Sequence, residues 1–136
     1  LLKLYAEYPE IALWQQRENA LCAASNPKIV RNAFGGVRIL LGSDPSKEWL
    51  SSRVQGTAGY TMSFTLIRMD EDIRRPLIAN IHDAYLGCSP VERAKADIRA
   101  VMQEMEAPVW LNNRFAVFPC DAKIGERWSD MKAVEV

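Results

Sequence analysis

Arg75-Pro76-Leu77-Ile78-Ala79-Asn80-Ile81-His82-Asp83-Ala84-Tyr85-Leu86-Gly87-Cys88 is the stretch on which the fold turns. Two short β-prone runs flank the polar pair His82-Asp83, so the chain is expected to reverse there in a tight strand–strand corner. Ser89-Pro90-Val91-Glu92 then reads as a helix start on three counts: Ser as N-cap, Pro at the first helical position, and Glu three residues after the cap. Val91, Ala94, Ile98, Val101, Met102 and Met105 recur at helical spacing, an apolar stripe that Ala107-Pro108 closes.

Upstream, Asp44-Pro45 marks another helix start, its carboxylate placed to cap exposed N–H groups. Leu50, Val54, Ala58, Thr61, Met62, Thr65 and Met69 are expected on one face of a long helix. Gly56 and Gly59 each cost that helix roughly 1 kcal/mol relative to Ala, a cost usually explained by close approach of a packed neighbour or a nucleic-acid strand. Before it, Ile29 to Phe34 and Val37 to Leu41 are β-prone runs separated by Gly35-Gly36, which reads as a hairpin. Pro9 opens an earlier helix whose stripe, Ile11, Trp14, Leu21 and Cys22, runs to about Ala24, where Asn26-Pro27 breaks it. Leu1, Leu4 and Tyr5 already sit at helical spacing, as in a chain cut inside a helix. Downstream, Phe115 to Phe118 reads as a strand and Lys123 to Trp128 as a last turn or strand. The order implies an α+β class with helices packed on an antiparallel sheet, in a single fragment: helix and hairpin over 1–42, then long helix, hairpin, helix and strand over 43–136.

Composition narrows the chemistry. With 136 residues, 49% apolar and 25% charged, the chain can bury a core. Neither a signal peptide nor an apolar run of roughly 18 to 20 residues occurs, so no membrane role and a cytoplasmic location are expected. Cys22, Cys88 and Cys120 form no C-x-x-C pair, which fits a reducing compartment. His82 is the single histidine, so a metal site here has to be built from carboxylates. Residues 1–69 hold eight Lys+Arg against five Asp+Glu, and residues 70–136 nine against twelve, so the first half is mildly basic. Trp14, Trp49, Trp110 and Trp128 are expected as core or half-buried packing.

The His82-Asp83 corner with its following helix resembles motif C of family A DNA polymerases, the class of bacterial DNA polymerase I and its phage relatives. Four further segments match in order. Tyr8-Pro9 before a helix looks like the Y-P that follows the fingers, and Asn32-Ala33-Phe34-Gly35 looks like the family's T-x-x-G. Gln55-Gly56-Thr57-Ala58 matches the Q-G-T-A that opens a long palm helix, the most specific string of the set. Gly125-Glu126-Arg127-Trp128 resembles the family's C-terminal G-x-x-W. Together they cover essentially the whole chain.

What the resemblance implies is template-directed DNA synthesis. A primer 3′-hydroxyl attacks the α-phosphate of a dNTP, with two Mg²⁺ ions stabilising the attacking and leaving oxygens. Asp83 would be one of the two carboxylates holding those ions. The other, with the fingers, would come from the remainder of the polymerase, upstream or on a partner chain. His82 would face the primer end, and Gln55 the minor groove of primer–template DNA, where one amide donor senses pair shape without reading sequence. Lys47 and Arg53 would neutralise phosphates. Departures are equally specific: Ala84 stands where an acid usually follows the aspartate, Gly36-Val37-Arg38 replaces a longer basic run, and Ser51 takes the place of an asparagine. They point to a divergent, phage-type member. Ala84 also supports a second reading, a palm-like nucleic-acid-binding or assembly module that has lost catalysis. A third is an unrelated α+β domain with chance matches.

Overall fold

The computed structural model describes residues 2–135, so the first position of the expected N-terminal helix, Leu1, lies outside the described residues. The protein is α+β, with five α-helices and four separate two-stranded antiparallel ladders among the described residues. The single palm-type sheet expected from the sequence is thus a set of hairpins. Two compact units divide within one long helix, the first ending at Tyr60 and the second beginning at Thr61. No helix among the described residues is long and apolar enough to cross a membrane.

The first unit opens with α1 (Leu2–Glu7) and α2 (Pro9–Ala24), with Pro at the start of α2 where its missing N–H is harmless. Cys22 on α2, Val30 and Leu40 on either side of the first hairpin, and Trp49 on α3 (Pro45–Arg68) make the core, each at most 6% exposed. Burying a large apolar side chain of this kind contributes about 1.5–3 kcal/mol. Strands β1 (Ile29–Arg31) and β2 (Val37–Ile39) pair with Ile29 opposite Ile39. The ladder ends three residues earlier than the apolar run predicts. Asn32 is the cause: its Oδ1 accepts the N–H groups of Phe34 (3.0 Å) and Gly36 (2.8 Å) and bends the chain into a loop. Asp44 caps α3 as its position predicts, accepting from the Lys47 N–H at 3.2 Å.

The buried face of α3 is not the one stripe expected. Thr61, Met62, Thr65 and Met69 are buried as predicted, yet Val54 is 59% exposed and Ala58 also faces out. In the first half Trp49 and Ser52 are buried instead. The glycines differ as well. A Cβ on Gly56 would sit 3.4 Å from the Asn32 Cβ, so this glycine admits a packed neighbour, whereas one on Gly59 would meet no atom within 4 Å among the described residues beyond its own helix backbone and chain neighbours.

In the second unit, after the short helix α4 (Glu71–Arg74), β3 (Leu77–Ile81) and β4 (Ala84–Gly87) pair with Ile81 opposite Ala84. The corner is therefore His82-Asp83, as read from the sequence. Helix α5 spans Ala94–Met105 and starts later than the capping signal implies. Ser89 does not cap it; its hydroxyl donates to the Asp97 carboxylate at 2.6 Å, and the chain first turns through N–H bonds of Arg93 and Ala94 to the Pro90 carbonyl. Val91, expected on the apolar stripe, is consequently 90% exposed. The Arg68 guanidinium at the end of α3 meets the Glu104 carboxylate of α5 at 3.1 Å.

A hairpin the sequence reading missed comes next: β5 (Val109–Leu111) pairs with β6 (Arg114–Ala116) around Asn112-Asn113. Trp110 and Phe115 face each other across it, edge to face at 4.9 Å, and both stay more than half exposed. Trp128 is 65% exposed, so two of the four tryptophans lie outside any core. Strands β7 (Lys123–Ile124) and β8 (Lys132–Ala133) flank a 3₁₀ turn over Trp128–Asp130.

Candidate functional site

Two sets of predicted residues fall in different units. In the second, the corner of β3 and β4 carries Asp83, whose side chain is exposed, as is that of His82. His82 has φ 57°, the left-handed region that side chains other than Gly and Asn adopt at a cost. The hairpin behind the corner is anchored. Tyr85, on β4, donates its phenol to the Met62 carbonyl of α3. Burial pushes the Tyr85 hydroxyl above its usual range, and the Leu66 peptide beside it works in the opposite direction. A carboxylate on such a corner is positioned by backbone rather than by a flexible stem.

Mg²⁺ takes oxygen ligands, commonly one or two protein carboxylates with substrate phosphates and water. Among the described residues no group of three or more His, Cys, Asp or Glu side chains comes together. Asp83 belongs to no such group.

In the first unit, Lys47, Ser51 and Gln55 recur every fourth residue on α3, which keeps them within about 80° around the helix. Lys47 and Gln55 are exposed and Ser51 half-buried, so one polar face is presented. Arg53 does not join it. It leaves α3 about 200° away from Gln55. There its Nε meets Glu18 of α2 at 3.3 Å. That nitrogen ties two helices, where the sequence reading expects an open phosphate contact.

Glu18 is fully buried, accepts the Trp49 indole N–H at 2.9 Å through Oε2, and leaves Oε1 without a hydrogen-bond partner among the described residues. Burying a carboxylate is costly unless it is paired, so the tie between α2 and α3 depends on both partners. The only sequence signal for it is spacing: Glu18 falls four residues after Trp14 and four before Cys22, inside the apolar stripe.

Two of the motif segments touch. The Asn32 amide donates to the Gly56 carbonyl at 3.1 Å, the Ala33 N–H to the Thr57 hydroxyl at 3.1 Å, and the Phe34 ring stacks on Tyr60 at 6.3 Å. The β1–β2 loop is thereby clamped to α3 just beside Gln55. No family model, curated protein or solved structure matches this chain.

Proposed function

We propose that this chain is the C-terminal palm portion of a family A DNA polymerase of divergent, phage-like type, taking part in template-directed DNA synthesis. The observation that carries the proposal is the His82-Asp83 corner: a backbone-fixed, exposed carboxylate beside a non-glycine residue held at positive φ. Strained residues of this kind concentrate at functional sites. The clamp between Asn32-Ala33-Phe34 and Gly56-Thr57 supports it further, because the two segments that resemble the family most in this half are packed together.

In this reading the primer 3′-hydroxyl loses its proton to solvent, its oxygen bonds the α-phosphorus, the bond from that phosphorus to the bridging oxygen breaks, and pyrophosphate leaves. Mg²⁺, when bound, supplies charge stabilisation to the attacking and leaving oxygens. Asp83 contributes a hard oxygen ligand from a fixed position. His82 donates to a phosphate or sugar oxygen at the primer end. Lys47, Ser51 and Gln55 lie along one helix face, with Gln55 donating into the minor groove and Lys47 neutralising a phosphate. The remainder of the polymerase supplies the second carboxylate and the grip on the dNTP. Asp83→Ala in the complete protein is expected to abolish Mg²⁺-dependent primer extension while duplex binding persists. Loss of both together would assign the residue to folding or DNA contact instead.

Ala84 favours a second reading, a nucleic-acid-binding module without catalysis. That reading predicts salt-dependent duplex binding and no extension by the complete protein.

A further inference from the structure

We infer that the recess between the β1–β2 loop and α3 binds a planar heteroaromatic anion, with a nucleoside monophosphate as the fitting class. The inference does not rest on the polymerase reading, since the recess belongs to a different set of residues from the Lys47, Ser51 and Gln55 face. Its volume is about 270 Å³. That is just under the range of about 300–1,000 Å³ that takes drug-sized ligands, and suits one compact molecule.

The wall chemistry selects the ligand. Val30 and Val37 are the aliphatic residues of the lining, and Gly36 and Gly56 add no side chain to it, a composition compatible with a flat ring. Gly36 has to be glycine for this shape, because a Cβ there would lie 2.4 Å from the Tyr60 ring. Arg38 is the one charged residue of the lining, is exposed, and has no ion-pair partner among the described residues. A site with one cation and no acid calls for an anion, and a guanidinium fits phosphate.

The polar interior holds a second pointer. Asn32 spends its amide on Gly56, Phe34 and Gly36. Ser52 is different: it is 6% exposed, belongs to the lining, and its buried hydroxyl has no hydrogen-bond partner among the described residues. An unpaired buried hydroxyl is destabilising, and a ring nitrogen or carbonyl entering the recess supplies what it lacks.

The test is a titration of the protein with AMP, adenosine and inorganic phosphate, followed by NMR shifts at Ser52, Gly56 and Val37. AMP is expected to bind saturably and adenosine roughly threefold to fivefold more weakly, the difference expected of one exposed charge pair. Arg38→Ala should bring AMP down to the adenosine level and leave adenosine unchanged. Ser52→Ala should weaken both by about fivefold, as for one neutral hydrogen bond. Thermal melts identify any variant that fails to fold, and Arg38→Gln, which keeps a long polar side chain but removes the charge, then stands in for Arg38→Ala. No saturable AMP shift, or AMP binding untouched by both substitutions, overturns the inference. Phosphate binding as tightly as AMP overturns its ring component. A short single-stranded oligonucleotide competing for the same shifts separates a nucleotide at a strand end from a free one.

Discussion

Two hairpins of the second unit reverse in two residues, and they do it with opposite economies. Between β5 and β6, Asn112 and Asn113 both have positive φ, 48° and 64°, and asparagine is among the residues that tolerate this best. Between β3 and β4, His82 takes φ 57° although an asparagine or glycine would do so at less cost. The first hairpin is held by its own cross-strand pair, Trp110 against Phe115. The second is held from behind, through Tyr85 and the Met62 carbonyl. A turn made of turn residues needs no other explanation. A turn that places His and Asp at its apex, and relies on an anchor elsewhere, is what the proposed role of those two side chains requires.

Substitutions sharpen or break that contrast. Replacing Asn112 and Asn113 together by Ala should cost the most, about 2 kcal/mol, since two β-carbons are forced into the left-handed region; urea unfolding measures it. Tyr85→Phe should cost about 1 kcal/mol by removing the anchor of the other hairpin. It has a pH signature too. The Tyr85 hydroxyl titrates higher in the folded protein than in the unfolded chain, so its contribution is full below pH ~10 and is lost as pH rises through the folded value. The phenylalanine variant should therefore lose less stability than the parent between neutral and strongly alkaline pH. His82→Asn should act in the opposite direction, gaining about 0.5 kcal/mol while lowering primer extension. A loss of stability there would mean that His82 makes its own structural contacts and that the contrast between the two corners is false. Lys47→Ala should leave stability within about 0.5 kcal/mol and reduce the salt slope of duplex binding by about 1.

Much of the backbone was readable from the amino acids because local signals agreed. The β-prone runs on either side of His82-Asp83 and the Asp44-Pro45 start of α3 appear where their chemistry places them. Errors came where a side chain found a better partner than the local rule offers. Ser89 bonds Asp97 and leaves α5 uncapped; Asn32 takes two backbone N–H groups and shortens β1. The Asn112-Asn113 turn was present in the sequence and carried the signal for the missed strand β5. Of the site, the Lys47, Ser51 and Gln55 face follows from four-residue spacing. The same spacing turns Arg53 away from that face, but its ion pair with Glu18, thirty-five residues earlier, does not follow from spacing. Tertiary pairing of this kind leaves no local trace.

The most direct test of the polymerase reading is single-turnover nucleotide incorporation by the complete protein carrying Asp83→Asn, which keeps the side chain's shape and removes its charge. Loss of a metal-holding carboxylate is worth several kcal/mol of transition-state stabilisation, so incorporation should slow by at least about a thousandfold with duplex affinity nearly unchanged. Incorporation within a few fold of the parent would contradict the account, because the corner would then hold a carboxylate that the chemistry does not use.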